Sequence, residues 1–344
     1  MSKFSPTSLR IGIDLGGTKT EGVLMDKNSN LLARVRRDTP QRQGYRAILQ
    51  NVKDLVDDLE KRAGLVCPVG IGTPGSLSTR TGLLKNSNTV CLNGQPILTD
   101  LESLLDRRVR IANDANCFAL SEATDGAGRG YAVVFGVILG TGVGGGIVVH
   151  GQLLEGCQHI AGEWGHNPLE ADGPQCYCGR RGCVETLISG PGLERDYAAI
   201  GPAAATDGGP KPDLMTAPSS AGQIDADNGK NVLEADLAPR IEIDAREIVR
   251  RAQAGDKLSE IALQRYLRRF GRALASVINI LDPDVVVLGG GLSNIKRLYD
   301  EGRAEIARHI FNDEMRTLLV PNVHGDSSGV RGAAQLWPPD PKRE

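Results

Sequence analysis

The sequence predicts an α/β protein of two lobes. Its 344 residues exceed the ~250–300 at which a single core stops growing. Strand hairpins alternate with helical patterns, and the alternation starts again midway, near Tyr131. Each half opens with two strands joined by a glycine-rich turn, a repetition that implies two related layers of sheet and helix.

Leu9–Asp14 reads as a strand that enters the turn Gly16-Gly17-Thr18-Lys19 and resumes at Glu21–Met25. Tyr45, Ile48, Leu49, Val52, Leu55, Val56 and Leu59 recur at helical spacing, which predicts an amphipathic helix over Gly44–Arg62. Pro68–Gly72 is a short strand closed by the turn Thr73-Pro74-Gly75. Val109–Ala112 is another strand, and a helix over Ala115–Ala123 follows Asn113-Asp114. In the second half, the apolar run Tyr131–Leu139 passes through a glycine turn into Gly145–Val149. Residues 200–240 carry Pro, Gly, Ala, Ser and Asp without periodicity, and are expected to form a mobile surface insertion. Leu263, Leu267, Phe270, Leu274, Val277, Ile278 and Leu281 mark a long helix. Asp284–Leu288 is an apolar strand that ends in Gly289-Gly290-Gly291, and Gly329–Trp337 is a closing helix. The expected division is a small lobe of residues 1–122, completed by a C-terminal helix within 329–344, and a large lobe of residues 123–328.

Charged residues at 24% and hydrophobic residues at 40% are ordinary for a soluble enzyme. A net charge of −2 and an aromatic content of 4% argue against a nucleic-acid surface. No run reaches the ~18–20 apolar residues of a bilayer span, and Met1–Pro6 has no apolar signal core. With an odd count of 7 cysteines, the expectation is a reducing cytoplasm and no membrane partner.

Cys176, Cys178 and Cys183 lie close together, with His166 upstream. Three thiolates and an imidazole suit a closed, structural zinc site, and Gly179 and Gly182 allow the sharp turns that converging sulfurs need. The alternatives are a cluster of packed cysteines or a disulfide, although a Cys-x-Cys pair bridges poorly. Glu163 and Glu185 flank the motif, which suggests a polar pocket beside the metal. Cys67, Cys91, Cys117 and Cys157 lack partner spacing and read as packing.

Asp14 ends a strand just before Gly16, Gly17, Thr18 and Lys19: a carboxylate, a close-approach backbone, a hydroxyl and an ammonium. The order is not that of a Walker P-loop. Gly140-Thr141-Gly142-Val143-Gly144-Gly145-Gly146 repeats the design. Each turn can offer several N–H groups to an anion, though any one alone could be a plain tight hairpin. Two of them, with a third glycine patch at Gly289–Gly291, describe a nucleotide cleft between lobes. Locally, Asp114 reads as a helix N-cap.

With Asn113-Asp114 and the cysteine motif added, the chain resembles the ROK family of sugar kinases and sugar-responsive repressors. The resemblance spares only residues 1–8 and the insertion near 200–240. Leu92-Asn93-Gly94-Gln95-Pro96, Ala161–Pro168 and His324–Gly329 look like its bacterial manno(fructo)kinase branch, with glucokinases and N-acetylglucosamine kinases next. The resemblance implies the two-lobed actin/hexokinase-like (ribonuclease H-like) fold and an ATP-dependent hexose kinase making fructose 6-phosphate. It implies Asp114 as general base and Asp14 as organiser of Mg²⁺ through water. Gly16, Gly17, Thr18 and Lys19 would hold the nucleotide, with Gly140, Thr141, Gly142, Gly144, Gly289, Gly290 and Gly291. Asn88, Asn113, Asp114, Glu163, His166 and Glu185 would meet the sugar. His166 would bind Zn²⁺ through one nitrogen and keep the other free for the sugar. The family also implies a homodimer. A repressor would need a helix-turn-helix before Ile11, and a mere sugar-binding protein has no need of a complete phosphate site, so a kinase is expected.

Overall fold

The computed structural model describes residues 9–204 and 243–338. Strands β1 (Leu9–Leu15), β2 (Lys19–Asp26) and β3 (Leu31–Asp38) form an antiparallel meander. Helix α1 (Tyr45–Ala63) then buries Ile48, Val52, Leu55, Val56 and Leu59, the stripe its periodicity predicts. It ends at Gly64 in the left-handed conformation, which returns the chain to the sheet. Strand β4 (Val69–Thr73) lies parallel to β1, and a two-stranded hairpin, β5 (Ser76–Leu77) and β6 (Leu84–Lys85), follows it. Helix α2 (Ile97–Leu105) leads to β7 (Val109–Asn113), parallel to β4. The sheet order is β3-β2-β1-β4-β7.

Helix α3 (Asp114–Asp125) carries the chain to a second sheet with the same plan. Strands β8 (Val133–Leu139), β9 (Val143–Val149) and β10 (Gln152–Leu153) form its meander. After α4 (Val184–Ile188), α5 (Gly190–Ala204), α6 (Ala245–Gln253) and α7 (Lys257–Leu281), strand β11 (Val285–Gly289) adds parallel to β8. Helix α8 (Glu301–Ala307) precedes β12 (Leu318–Pro321), which is parallel to β11. The order β10-β9-β8-β11-β12 repeats that of the first sheet. The larger core lies here, where Phe135, Tyr266, Phe270 and Leu274 are buried.

Two helices cross between the sheets. α3 follows a strand of the first sheet but packs on β8 and β9, whereas the last helix, α9 (Ser328–Gln335), packs back on β1 and β4. Small residues permit both contacts. A Cβ at Gly136 would lie 2.7 Å from Ala119 of α3, and one at Gly12, Gly70 or Gly332 would strike the backbone of α9 or α3. Asp125 of α3 accepts bonds from Arg331 and Gln335 of α9, while Arg331 also donates to the Ser29 carbonyl at 2.9 Å.

Several expectations change. The insertion expected from residue 200 does not begin there, since 200–204 complete α5; its remainder lies outside the described residues. The C-terminal helix expected within 329–344 is α9, which stops at Gln335, and 339–344 also lie outside the description. We propose that the lobes divide at Asn113–Asp114 rather than at 122, because α3 packs on β8 and β9 of the second sheet more than on the first. No described helix is long and apolar enough to cross a membrane.

Candidate active site

The register of the first hairpin sets Asp14 opposite Glu21. The turn beyond Asp14 is braced from the segment after β3: the Thr39 hydroxyl donates to the Gly16 carbonyl at 2.8 Å, and the Gln41 amide donates to the Gly17 carbonyl. Thr18 and Lys19 stand exposed at its tip. Asn88 is exposed on a loop whose next residue, Thr89, packs beside Gly17.

At the end of β7, Asn113 Oδ1 accepts the Ala115 N–H at 2.8 Å and caps α3. The cap expected of Asp114 therefore belongs mainly to Asn113, although Asp114 Oδ1 shares the same N–H at 2.8 Å. Asp114 itself is exposed at the start of α3. Loss of hydration raises its pKa, against the opposing hydrogen bonds from the Ala115 and Asp114 N–H groups. Asp14 is pushed up to about 7 by burial and then by the charges of Asp114 and Glu21, with Arg36 opposing. Two carboxylates held this way form a site whose charge a cation would relieve.

Glu163 and His166 sit on a loop fastened to β9. Gly162, at φ +91°, lies against the Gly145 carbonyl where no side chain fits. Trp164 Nε1 donates to the Gly144 carbonyl at 3.0 Å and its ring meets Phe135 edge-on. The Glu163 pKa is raised by burial; the charges of Asp114 and Glu185 add to this, while His166 and Lys85 oppose it. The charge of Asp114 thus acts on both Asp14 and Glu163, and those of His166 and Glu185 act on Glu163. Glu185, in the first turn of α4, accepts the Val143 N–H at 2.9 Å and so touches the second hairpin.

That hairpin turns over Gly140, Thr141 and Gly142, and the Gly190 N–H at the start of α5 holds the Gly140 carbonyl at 2.8 Å. Gly144 lies within β9 rather than in the turn, where its missing side chain admits Ala115 of α3. Gly289 is likewise buried against the Phe118 ring, so its smallness serves packing. Gly290 and Gly291 are exposed, and Gly290 abuts Leu139 at the base of the second turn.

The metal-motif residues converge. One ligand atom from each of His166, Cys176, Cys178 and Cys183 lies within 4.8 Å of all the others. His166 Nδ1 is 3.6 Å from Cys176 Sγ, and Cys178 Sγ is 3.6 Å from Cys183 Sγ. A Zn–S bond of ~2.3 Å gives tetrahedral edges of roughly 3.7 Å, so the donor set fits a tetrahedral ion. Gly179 (φ +88°) and Gly182 (φ +59°) make the turns expected of them. Cys183 directly precedes α4, which couples the cluster to Glu185. His166 Nε2, expected to be free, is 2.9 Å from the Tyr177 hydroxyl. Cys67 and Cys117 are buried as expected, but Cys157 is exposed. Thr39, Gln41 and Tyr177 escaped the sequence reading; for Tyr177 a signal existed, since it stands between two cysteines of the cluster.

Two sheets of one topology with crossing helices are the architecture of the actin-like sugar kinases, and this protein is one of them. The chain matches the ROK family over residues 10–339 and belongs to that family. It is 35% identical over 339 residues to an N-acetyl-D-glucosamine kinase of Yersinia pseudotuberculosis, covering 94% of this chain and 97% of the relative. A ROK hexokinase from Thermus thermophilus superposes with a TM-score of 0.76 at 32% identity, over 95% of this chain and 96% of that one. A ROK glucokinase from Streptomyces griseus, solved with glucose and AMPPNP, gives 0.70 at 26% identity, over 95% and 98%.

Proposed function

We propose that this kinase transfers the γ-phosphate of Mg-ATP to the 6-hydroxyl of a hexose, with fructose as the first candidate. The observation that carries the reading is Asp114, placed at the start of α3, whose charge acts on both Asp14 and Glu163. Asp114 accepts the proton of the attacking hydroxyl. Its pKa is raised, with desolvation as the largest cause, and that direction favours taking the proton. The transition state of phosphoryl transfer is loose, so positioning and charge neutralisation supply most of the acceleration. Mg²⁺, when bound, neutralises the phosphates, and Asp14 is the residue that would hold it through water. Gly16–Lys19 and Gly140–Gly142, with Gly290 and Gly291, would cradle the nucleotide. Asn88, Asn113, Glu163 and Glu185 would take sugar hydroxyls, since a polar group that the bound sugar covers is costly to leave unpaired. Zn²⁺ would occupy the closed His166, Cys176, Cys178, Cys183 set and fix the loops of Glu163 and Glu185, with no open position for chemistry. The proposal extends to a cytoplasmic homodimer on the family resemblance alone.

A second reading, N-acetylglucosamine as substrate, is favoured by the 35% identity to an N-acetyl-D-glucosamine kinase. Steady-state assays with fructose, mannose, glucose and N-acetylglucosamine separate the two. A kcat/KM for glucose or N-acetylglucosamine well above that for fructose replaces the first candidate, and absence of ADP release with every hexose removes the kinase reading.

A further inference from the structure

Thr89 is enclosed, at 1% exposure, yet its hydroxyl has no hydrogen-bond partner among the described residues. The rest of the residue is satisfied. Its N–H donates to Ser87 Oγ at 3.1 Å, and its carbonyl accepts the Leu92 N–H at 2.9 Å. Asn93 fixes the loop that carries it, accepting the Ser87 N–H and donating to the Ser87 carbonyl, both at 2.8 Å. The hydroxyl is therefore held in place, and a buried donor left unpaired is a standing cost.

That hydroxyl faces the first glycine turn. A Cβ on Gly17 would come 3.4 Å from Thr89 Oγ1 and 3.2 Å from Gln41 Nε2, so two polar ends fill the space a side chain would need. The other buried hydroxyls beside this turn are engaged. Those of Thr20 and Thr39 lie 2.8 Å apart, and Thr39 donates to the Gly16 carbonyl. The Gln41 amide holds the Gly17 carbonyl.

We propose that Thr89 is a positioning residue for the nucleotide, and that its hydroxyl gains a partner only when phosphate fills the turn. Drawing the N–H groups of Gly16–Lys19 toward an anion rotates their peptides and turns the carbonyls back toward the protein. The Thr89 O–H then donates to the Gly17 carbonyl, whose second lone pair remains for Gln41. A bond absent from the free protein and present in the bound one adds directly to affinity.

The inference rests on the sugar-kinase reading, and calorimetry with a non-hydrolysable Mg-ATP analogue tells the two apart. Thr89→Val keeps the shape and removes the hydroxyl. Its Kd for the analogue should rise roughly 3- to 10-fold, the weight of one neutral hydrogen bond. Its thermal midpoint without ligands should not fall, because the methyl group replaces a hydroxyl that had no partner. Its Kd for hexose should equal that of the wild type, although Asn88 is the adjacent residue. Thr89→Ser, which retains the donor, should bind the analogue as the wild type does. Wild-type affinity for the analogue in Thr89→Val overturns the proposal. So does a lowered ligand-free midpoint, whatever the Kd, since the hydroxyl would then be paired in the free protein and serve the fold. A wild-type protein that binds no Mg-nucleotide removes the function reading and this role with it.

Discussion

Glu122 of α3 accepts a hydrogen bond from the Ser328 hydroxyl at 2.8 Å, at the point where α9 begins. The same fully buried carboxylate accepts N–H bonds from Ala127, Val323 and His324 at 3.0, 3.1 and 3.2 Å. The next residue of α9, Gly329, lies against Asp14, where a Cβ would come 3.3 Å from the carboxylate. One side chain of α3 therefore fixes the start of α9 beside Asp14.

Glu122→Ala should destabilise the protein by roughly 2–5 kcal/mol, because it leaves several buried N–H groups without acceptors. Urea unfolding checks this, and a loss below about 1 kcal/mol would mean that water or the backbone replaces the carboxylate without cost.

Asp114→Asn should keep the fold and sugar affinity while lowering kcat roughly 10²- to 10⁴-fold, the span for loss of a general base. The amide can still accept the Ala115 N–H, as Asp114 does, but cannot take the sugar's proton. Near-normal kcat in the purified variant would leave Asp114 with only that local hydrogen bond.

Removal of zinc by a strong chelator, or Cys178→Ala, should raise the KM for sugar far more than that for ATP. The cluster adjoins Glu163 and Glu185, and the first glycine hairpin is braced separately by Thr39 and Gln41. Elemental analysis should find about one zinc per chain, as one four-ligand set implies. A metal-free preparation with unaltered sugar KM would return the cysteines to a packing role.

Asp14 gives the ligand-free protein a pH dependence of known sign. Its pKa is pushed up to about 7 from an ordinary 3.8, so the folded state binds this proton more tightly than the unfolded chain. The associated stability is complete below the lower value and is lost as pH rises through the upper one. The thermal midpoint without ligands should therefore fall between pH 5 and 8, and Asp14→Asn should flatten that slope while abolishing Mg-ATP turnover. An unaltered slope in the variant would assign the effect to other groups.

The local signals in the sequence were strong enough for the two hairpins, α1, α7 and the metal loop, since each depends on periodicity or close spacing. The stripe from Ile48 to Leu59 can bury only one helix face, and thiols as near as Cys176, Cys178 and Cys183 can converge once Gly179 and Gly182 turn the chain. Strand β3 was not legible, because an edge strand bearing Arg34, Arg36 and Arg37 shows no apolar run. Short helices such as α2 and α8 were also missed, since a turn or two of chain carries little periodicity. Only the tertiary structure decided which glycines open a turn and which, like Gly144 and Gly289, admit a helix, because the neighbour that makes the difference is distant in sequence. The crossing of α3 and α9 to opposite sheets, the Glu122–Ser328 bond and the approach of Gly329 to Asp14 belong to the same class. Local patterns state what each segment can form; which segments then touch is a choice among long-range contacts that closes only when the whole core packs.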